Sequence, residues 1–355
     1  MSSRKIELLP FYCPFEEMVN PELDAIEKIC VDWVDRFHLY QDEGQRNRLI
    51  ATKAAEVYSR ALPRAEPERV ADVAKWLYWG FATDDMVYDN GPVSISTADF
   101  LPIVARLARI TDEPQASFEF ELPHSDALRD LTVAITRRAT PTQRIDWRNT
   151  ARAWFYGMAW DSANGEKGRP PSLNDYLMMR MHTGGLASWA TTLAIADGFE
   201  LTARDADSGP VRALLESWST LALIINDLMS YAKETQRGDT SSNIISVIAS
   251  ENCCSPQDAV PQAYAILDRI SGAFLRLRGR LLPDADEDLC RLIKGMENTW
   301  RAILDWGFTT PRYTRSEPNA EPYQTFPGWT DEPHDSSPDP LPYQSISWWW
   351  KEASA

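Results

Sequence analysis

From about residue 20 to about residue 310 the apolar side chains recur at three- and four-residue intervals, and the breaks between runs carry proline, glycine or a capping residue. That period fits one face of an α-helix, and no alternating run bounded by hairpin turns competes with it. Asn20 and Pro21 open the first run, in which Leu23, Ile26, Ile29, Val31, Trp33, Val34 and Phe37 take broadly helical positions to about residue 41. Further helices are predicted at about 44–62, 67–89, 97–111, 125–139, 142–162, 173–197, 209–236, 241–250, 257–282 and 285–307. Pro67 and Pro210 suit helix starts, and Gly198 suits a helix end. The chain is therefore predicted to be all-α, and 355 residues with 44% hydrophobic content can fill a sizeable core.

The tail breaks the pattern. After Arg315 prolines stand at 318, 322, 327, 333, 338, 340 and 342 among acidic and polar residues, so no long helix is expected there. The division predicted is a helical body over 1–315 and a Pro-rich, disordered tail over 316–355. The cluster Trp348-Trp349-Trp350 is unusual for a solvated segment and marks a candidate docking element.

Charge narrows the partners. With 36 basic against 52 acidic residues the net charge is −16, which argues against a nucleic-acid or anionic-membrane surface. The five cysteines show no zinc-ligand or disulfide spacing, and the N-terminus lacks the apolar core of a signal peptide, so a cytoplasmic protein is expected.

Three oxygen-bearing residues, Asn226, Ser230 and Glu234, fall four apart in a predicted helix. Steps of four drift by about 40° each, so an amide, a hydroxyl and a carboxylate fan across one narrow stripe. A hard cation such as Mg²⁺ accepts such ligands when another anion, typically a phosphate, completes its shell. A second acidic group, Asp84, Asp85 and Asp89, closes a helix crowded with Trp76, Tyr78, Trp79 and Phe81. Negative charge at a helix C-terminus is unfavourable unless a cation offsets it, and Asp85 and Asp89 are one turn apart on one face. Arg180 stands among methionines 46 residues before Asn226, followed by Gly184 and Gly185, which should interrupt the helix. Arg312-Tyr313 follows the last long helix, 86 residues after Asn226, where a guanidinium could meet phosphate oxygens in a fork.

These four pieces, in this order and spacing, resemble the class I terpene synthases, which ionise linear isoprenyl diphosphates and cyclise the carbocation. The resemblance covers roughly residues 10 to 315 and is strongest to microbial, single-domain enzymes. It implies a helical bundle around a central cavity. It implies metal ligation by Asp84, Asp85, Asp89, Asn226, Ser230 and Glu234, with three Mg²⁺ ions bridged by diphosphate. It implies diphosphate contacts from Arg180, Lys233, Arg312 and Tyr313, and a switch in which Arg180 senses diphosphate, Thr183 links and the Gly184 carbonyl faces the departing carbon. The third acidic residue lies four positions after the second rather than the family's usual three, which bears on whether Asp89 touches metal. Ser242 stands where the family's loop has histidine.

A reaction through a carbocation needs an apolar pocket. Of the many aromatics, Phe81, Trp189 and Trp306 are the expected substrate contacts, with Phe308 as the alternative to Trp306 and with Trp154 or Phe155 as a further candidate. The expected substrate is farnesyl diphosphate, giving a cyclic sesquiterpene and free diphosphate. Geranylgeranyl diphosphate is the alternative, and a catalytically silent helical interaction protein is a weaker one. A homodimer is compatible with this reading. An isoprenyl diphosphate synthase would carry a second Asp-rich motif where the Asn-Ser-Glu set stands, and the four histidines lack the pairing of a helical phosphohydrolase.

Overall fold

A computed structural model describes residues 6–85, 96–119, 122–237, 242–314 and 325–354. An N-terminal strap with β1 (Phe11–Tyr12) leads into α1 (Leu23–Arg36), α2 (Glu43–Ala51), α3 (Ala54–Ala61) and α4 (Pro67–Asp84). Next come α5 (Thr97–Asp112), α6 (Ser125–Thr136), α7 (Pro141–Glu166), α8 (Leu173–Thr183), α9 (Leu186–Asp197) and α10 (Ala203–Asp207). The body closes with α11 (Gly209–Arg237), α12 (Ile244–Glu251), α13 (Pro256–Leu281), α14 (Glu287–Gly307) and α15 (Pro311–Thr314), and the tail carries β2 (Trp329–Thr330) and α16 (Trp348–Ser354). The all-α reading holds. Among the described residues the only strands are β1 and β2, a two-residue parallel pair, and no helix is long and apolar enough to cross a membrane.

Local signals explain the helix starts. Pro67 and Pro141 occupy first turns, and Thr140 and Gln143 cap α7 reciprocally, each side chain bonding the other's backbone N–H. α11 is the central element, packed against α8, α13, α14 and α16. Its Trp218, Leu221, Ala222, Ile224, Ile225, Leu228 and Met229 are almost wholly buried, which anchors the oxygen-bearing stripe one turn further on.

Two expectations need correction. The helix predicted at 44–62 is two helices, because Lys53 takes the left-handed conformation at φ 48°. The break frees the Thr52 carbonyl, which accepts Trp306 Nε1 at 2.7 Å and Thr310 Oγ1 at 3.1 Å, so it fixes a cavity aromatic. No glycine or proline announces it.

The tail, expected to be disordered, packs against the body over residues 325–354. β2 pairs with β1, and His334 Nε2 lies 2.8 Å from the Pro10 carbonyl oxygen. Asp268 accepts the backbone N–H groups of His334 at 2.6 Å and Asp335 at 3.2 Å, and Asn174 accepts that of Ser345 at 3.0 Å. Trp349 and Trp350 are buried, with Trp349 Nε1 donating to Glu216 at 2.8 Å. Proline-rich backbone has few donors to satisfy, so a handful of side chains and two large aromatics suffice to pin it.

Candidate active site

Two elements bring the acidic groups to one cavity of about 330 Å³. Asp84 ends α4, Asp85 follows it, and both carboxylates are gripped by Arg312 from α15: its NH2 donates to Asp84 at 2.7 Å and its NH1 to Asp85 at 3.0 and 3.2 Å. Arg312 Cζ also stands 4.2 Å from the centre of the Phe81 ring. Burial works against its charge, but Asp85 and Asp84 outweigh it, so the guanidinium stays protonated. Asp89 lies outside the described residues.

On α11, Ser230 Oγ donates to Glu234, and Asn243 Nδ2 donates to the second Glu234 oxygen at 2.9 Å. Asn226 turns its carbonyl oxygen to Arg180 NH2 at 2.9 Å and its NH2 to the Tyr313 hydroxyl at 2.7 Å. Burial pushes the Glu234 carboxyl up to about 7, with Asp227 adding to the rise. Burial likewise lowers Lys233 to about 8, aided by Arg312 and opposed by Asp84 and Asp85.

The donor set fits a hard divalent ion. Amide, hydroxyl and carboxylate oxygens lie on one helix face, two of them already within hydrogen-bond distance of each other, and the Asp84 carboxylate opens to the same cavity.

The segment from Arg180 to Gly185 is held by close approaches. α8 ends at Thr183, whose hydroxyl accepts Arg180 NH1 at 2.9 Å and whose carbonyl accepts Trp154 Nε1 at 2.8 Å. Gly184 follows, and a Cβ there would lie 1.9 Å from Leu223 Cδ2, so any larger residue would force Leu223 to move. Gly185 takes φ 70° and starts α9. Arg180 itself reaches the cavity beside Asn226, as expected from its place among the methionines.

The apolar lining of the cavity comes from Val57, Trp76, Leu77, Phe81, Trp154, Met158, Leu186, Trp189, Leu223, Ile303 and Trp306. Phe81 and Trp306 stack at 5.8 Å and 7°, and Trp306 meets Tyr313 edge-on at 5.5 Å. Phe81, Trp189, Trp306 and Trp154 are therefore where the sequence places them. Phe155 and Phe308 are not. Phe155 is fully buried behind Trp154, and Phe308 packs on Phe11 and Phe326.

Sequence reasoning missed Trp76, whose indole donates to Ser188 at 3.1 Å, and it missed the polar hub around Asp227. It also missed Asp161, which lines the cavity and accepts from Ser242. The signal for the hub was present, since Tyr176 precedes Arg180 by one helical turn and Asp227 adjoins Asn226.

Comparison with known proteins places this geometry in context. Residues 75–270 match the family model described as terpene synthase family 2, C-terminal metal binding. A germacradien-6-ol synthase from Streptomyces pratensis is 33% identical over 96% of this chain and 95% of its own length. A (+)-T-muurolol synthase from Streptomyces clavuligerus, described as cyclizing (2E,6E)-farnesyl diphosphate, is 29% identical over 97% of this chain and 82% of its own. The crystal structure of the SVS_A2 protein, obtained by ancestral sequence reconstruction, superposes with a TM-score of 0.87 at 33% identity, covering 98% of this chain and all of the other.

Proposed function

The chain belongs to the microbial class I terpene synthases, and from that premise we propose that it converts farnesyl diphosphate with Mg²⁺ to a cyclic sesquiterpene and inorganic diphosphate. One observation carries the reading: a single cavity is lined both by the polar groups Asp84, Arg180, Asn226, Ser230, Lys233, Glu234 and Arg312 and by tryptophans and aliphatic side chains. That combination suits a molecule with a diphosphate head and a hydrocarbon tail. The farnesyl chain follows from the muurolol synthase relative, whose description names that substrate.

In this reading Asn226, Ser230 and Glu234 would hold one divalent ion, and Asp84 and Asp85, with Asp89 as the resemblance implies, would hold two more. The bound ions would supply Lewis-acid neutralisation of the diphosphate charge. Arg180, Lys233, Arg312 and Tyr313 line the cavity and would meet the leaving oxygen as it gains charge, and donors fixed in advance stabilise that charge better than water does. Arg312 must then share its fork between the carboxylates and the diphosphate. Phe81, Trp189 and Trp306 exclude water and offer ring faces to the carbocation, each stabilising it by about 0.5–2 kcal/mol. The Gly184 carbonyl would face the departing carbon, next to a Thr183 that is tied to both Arg180 and Trp154.

Incubating the protein with geranyl, farnesyl and geranylgeranyl diphosphate plus Mg²⁺, and analysing the extracts by mass spectrometry, tests the proposal. A cyclic C15 product from the farnesyl substrate is expected. A cyclic product from geranylgeranyl diphosphate alone would move the substrate to C20, and no hydrocarbon or alcohol from any of them would refute it.

A further inference from the structure

Asp227 adjoins Asn226 on α11, borders the same cavity and is 2% exposed, with its carboxylate fully taken up by protein partners. One carboxylate oxygen accepts Arg180 NH2 at 2.5 Å. The other accepts the Tyr176 hydroxyl and the backbone N–H of Ile244, the latter at 2.8 Å. Its main-chain carbonyl accepts Asn243 Nδ2, the same amide that orients Glu234, at 2.8 Å. This one residue therefore joins α8, α11 and the start of α12.

The geometry has a direction. Tyr176 and Arg180 are four apart on α8, so both lie on the face that meets Asp227. Arg180 spends NH2 on Asp227 and Asn226 and NH1 on Thr183, which fixes the plane of its guanidinium. Its Nε is buried with no hydrogen-bond partner among the described residues. Burial pushes the Asp227 carboxyl up, against the pull of Arg180, Tyr176 and the Ile244 N–H, and Asp227 in turn helps keep Arg180 charged.

We propose that Asp227 and Tyr176 form a positioning couple for diphosphate capture: the Tyr176 hydroxyl fixes the Asp227 carboxylate, and the carboxylate fixes the direction of the Arg180 guanidinium. The proposal rests on the reading of Arg180 as a diphosphate contact. It assigns work to two side chains that meet the diphosphate through Arg180 and not directly.

The test is calorimetric titration of the full-length protein with inorganic diphosphate in the presence of Mg²⁺, alongside thermal melts and steady-state turnover of farnesyl diphosphate. Tyr176→Phe, which removes one hydroxyl, should weaken diphosphate binding about tenfold, the order found for groups that orient a binding side chain. It should raise KM more than it lowers kcat. In an Arg180→Lys background the same change should weaken binding less than about twofold, because residues acting through one partner are non-additive. Asp227→Asn should repeat the pattern more strongly, and its melt separates lost orientation from lost folding. Unchanged diphosphate affinity in Tyr176→Phe, or an equal loss with and without Arg180, would overturn the couple. Protein that shows this binding pattern but turns over no isoprenyl diphosphate would refute the proposed reaction and keep the couple. Turnover without the pattern would do the reverse.

Discussion

In and beside the cavity, side chains on helices or at their ends hold one another: Arg312 grips Asp84 and Asp85, Arg180 grips Asn226 and Asp227, and Asn243 orients Glu234. In the C-terminal strap the pattern is different, because there side chains of the body, such as Asp268, Arg269 and Asn174, hold the backbone of an irregular chain. The first arrangement places charge, and most of its members are ionisable or lie against an ionisable group. The second places chain, and the large aromatics Trp349 and Trp350 supply its burial. Damage to the two should separate, with chemistry failing in one case and folding in the other.

The largest expected effect is in the strap. Trp349→Ala removes a fully buried indole and strands Glu216, and should cost about 3–5 kcal/mol of stability. Equilibrium denaturation would measure it, and turnover per folded molecule should stay near the wild-type value. Glu234→Gln should do the opposite, lowering kcat/KM by about 10²–10³-fold, the loss seen when one transition-state charge stabiliser is removed. Its melting temperature should not fall, since burial already favours the neutral carboxyl. A variant pair that loses activity and stability together at both sites would erase the distinction.

Asp268 sharpens the comparison through pH. Burial pushes its carboxyl up to about 6, opposed by the N–H groups of His334 and Asp335. A raised carboxyl favours the protonated native state, so the stability it contributes is full below about pH 4 and is lost as pH rises through about 6. The two-unit rise corresponds to roughly 2–3 kcal/mol. Asp268→Asn keeps an acceptor for the backbone and should flatten that part of the stability–pH curve, whereas Glu234→Gln should leave the Asp268 step in place. A wild-type slope retained in Asp268→Asn would exclude this carboxyl as its source.

The smallest effect expected is that of Arg312→Lys, about 10- to 100-fold in kcat/KM. It keeps the positive charge but loses the two-pronged contact with Asp84 and Asp85. Full activity in this variant would mean that the fork places nothing of consequence.

This difference also explains what the sequence made legible. Asn226, Ser230 and Glu234 could be read as one stripe because helical spacing is a local rule, and so could the break after Arg180, which glycines mark. The Arg312 grip on Asp84, 228 residues away, obeys no local rule and needed the folded chain. The break at Lys53 was hidden because a non-glycine residue adopts the left-handed turn, held by contacts that Trp306 and Thr310 make from the far end of the chain. In the strap, proline content correctly excluded a long helix but wrongly suggested disorder. Composition counts missing donors and does not show which side chains of the body wait to bind the remainder. The pairs Trp154 or Phe155 and Trp306 or Phe308 were left open for a simpler reason: periodicity says that a ring is buried, not whether it faces the cavity or the core, and the cavity takes Trp154 and Trp306.

On this reading the Asn226, Ser230 and Glu234 stripe and Asp84 line one cavity that would trap diphosphate with divalent metal. Crystals grown with Mn²⁺ and inorganic diphosphate, with anomalous difference maps recorded at the manganese edge, test it most directly. The account predicts one peak at coordination distance from Asn226 Oδ1, Ser230 Oγ and Glu234, others at Asp84 and Asp85, and diphosphate oxygens shared with Arg180 and Arg312. Diphosphate bound in the cavity with no metal on the α11 stripe would contradict it.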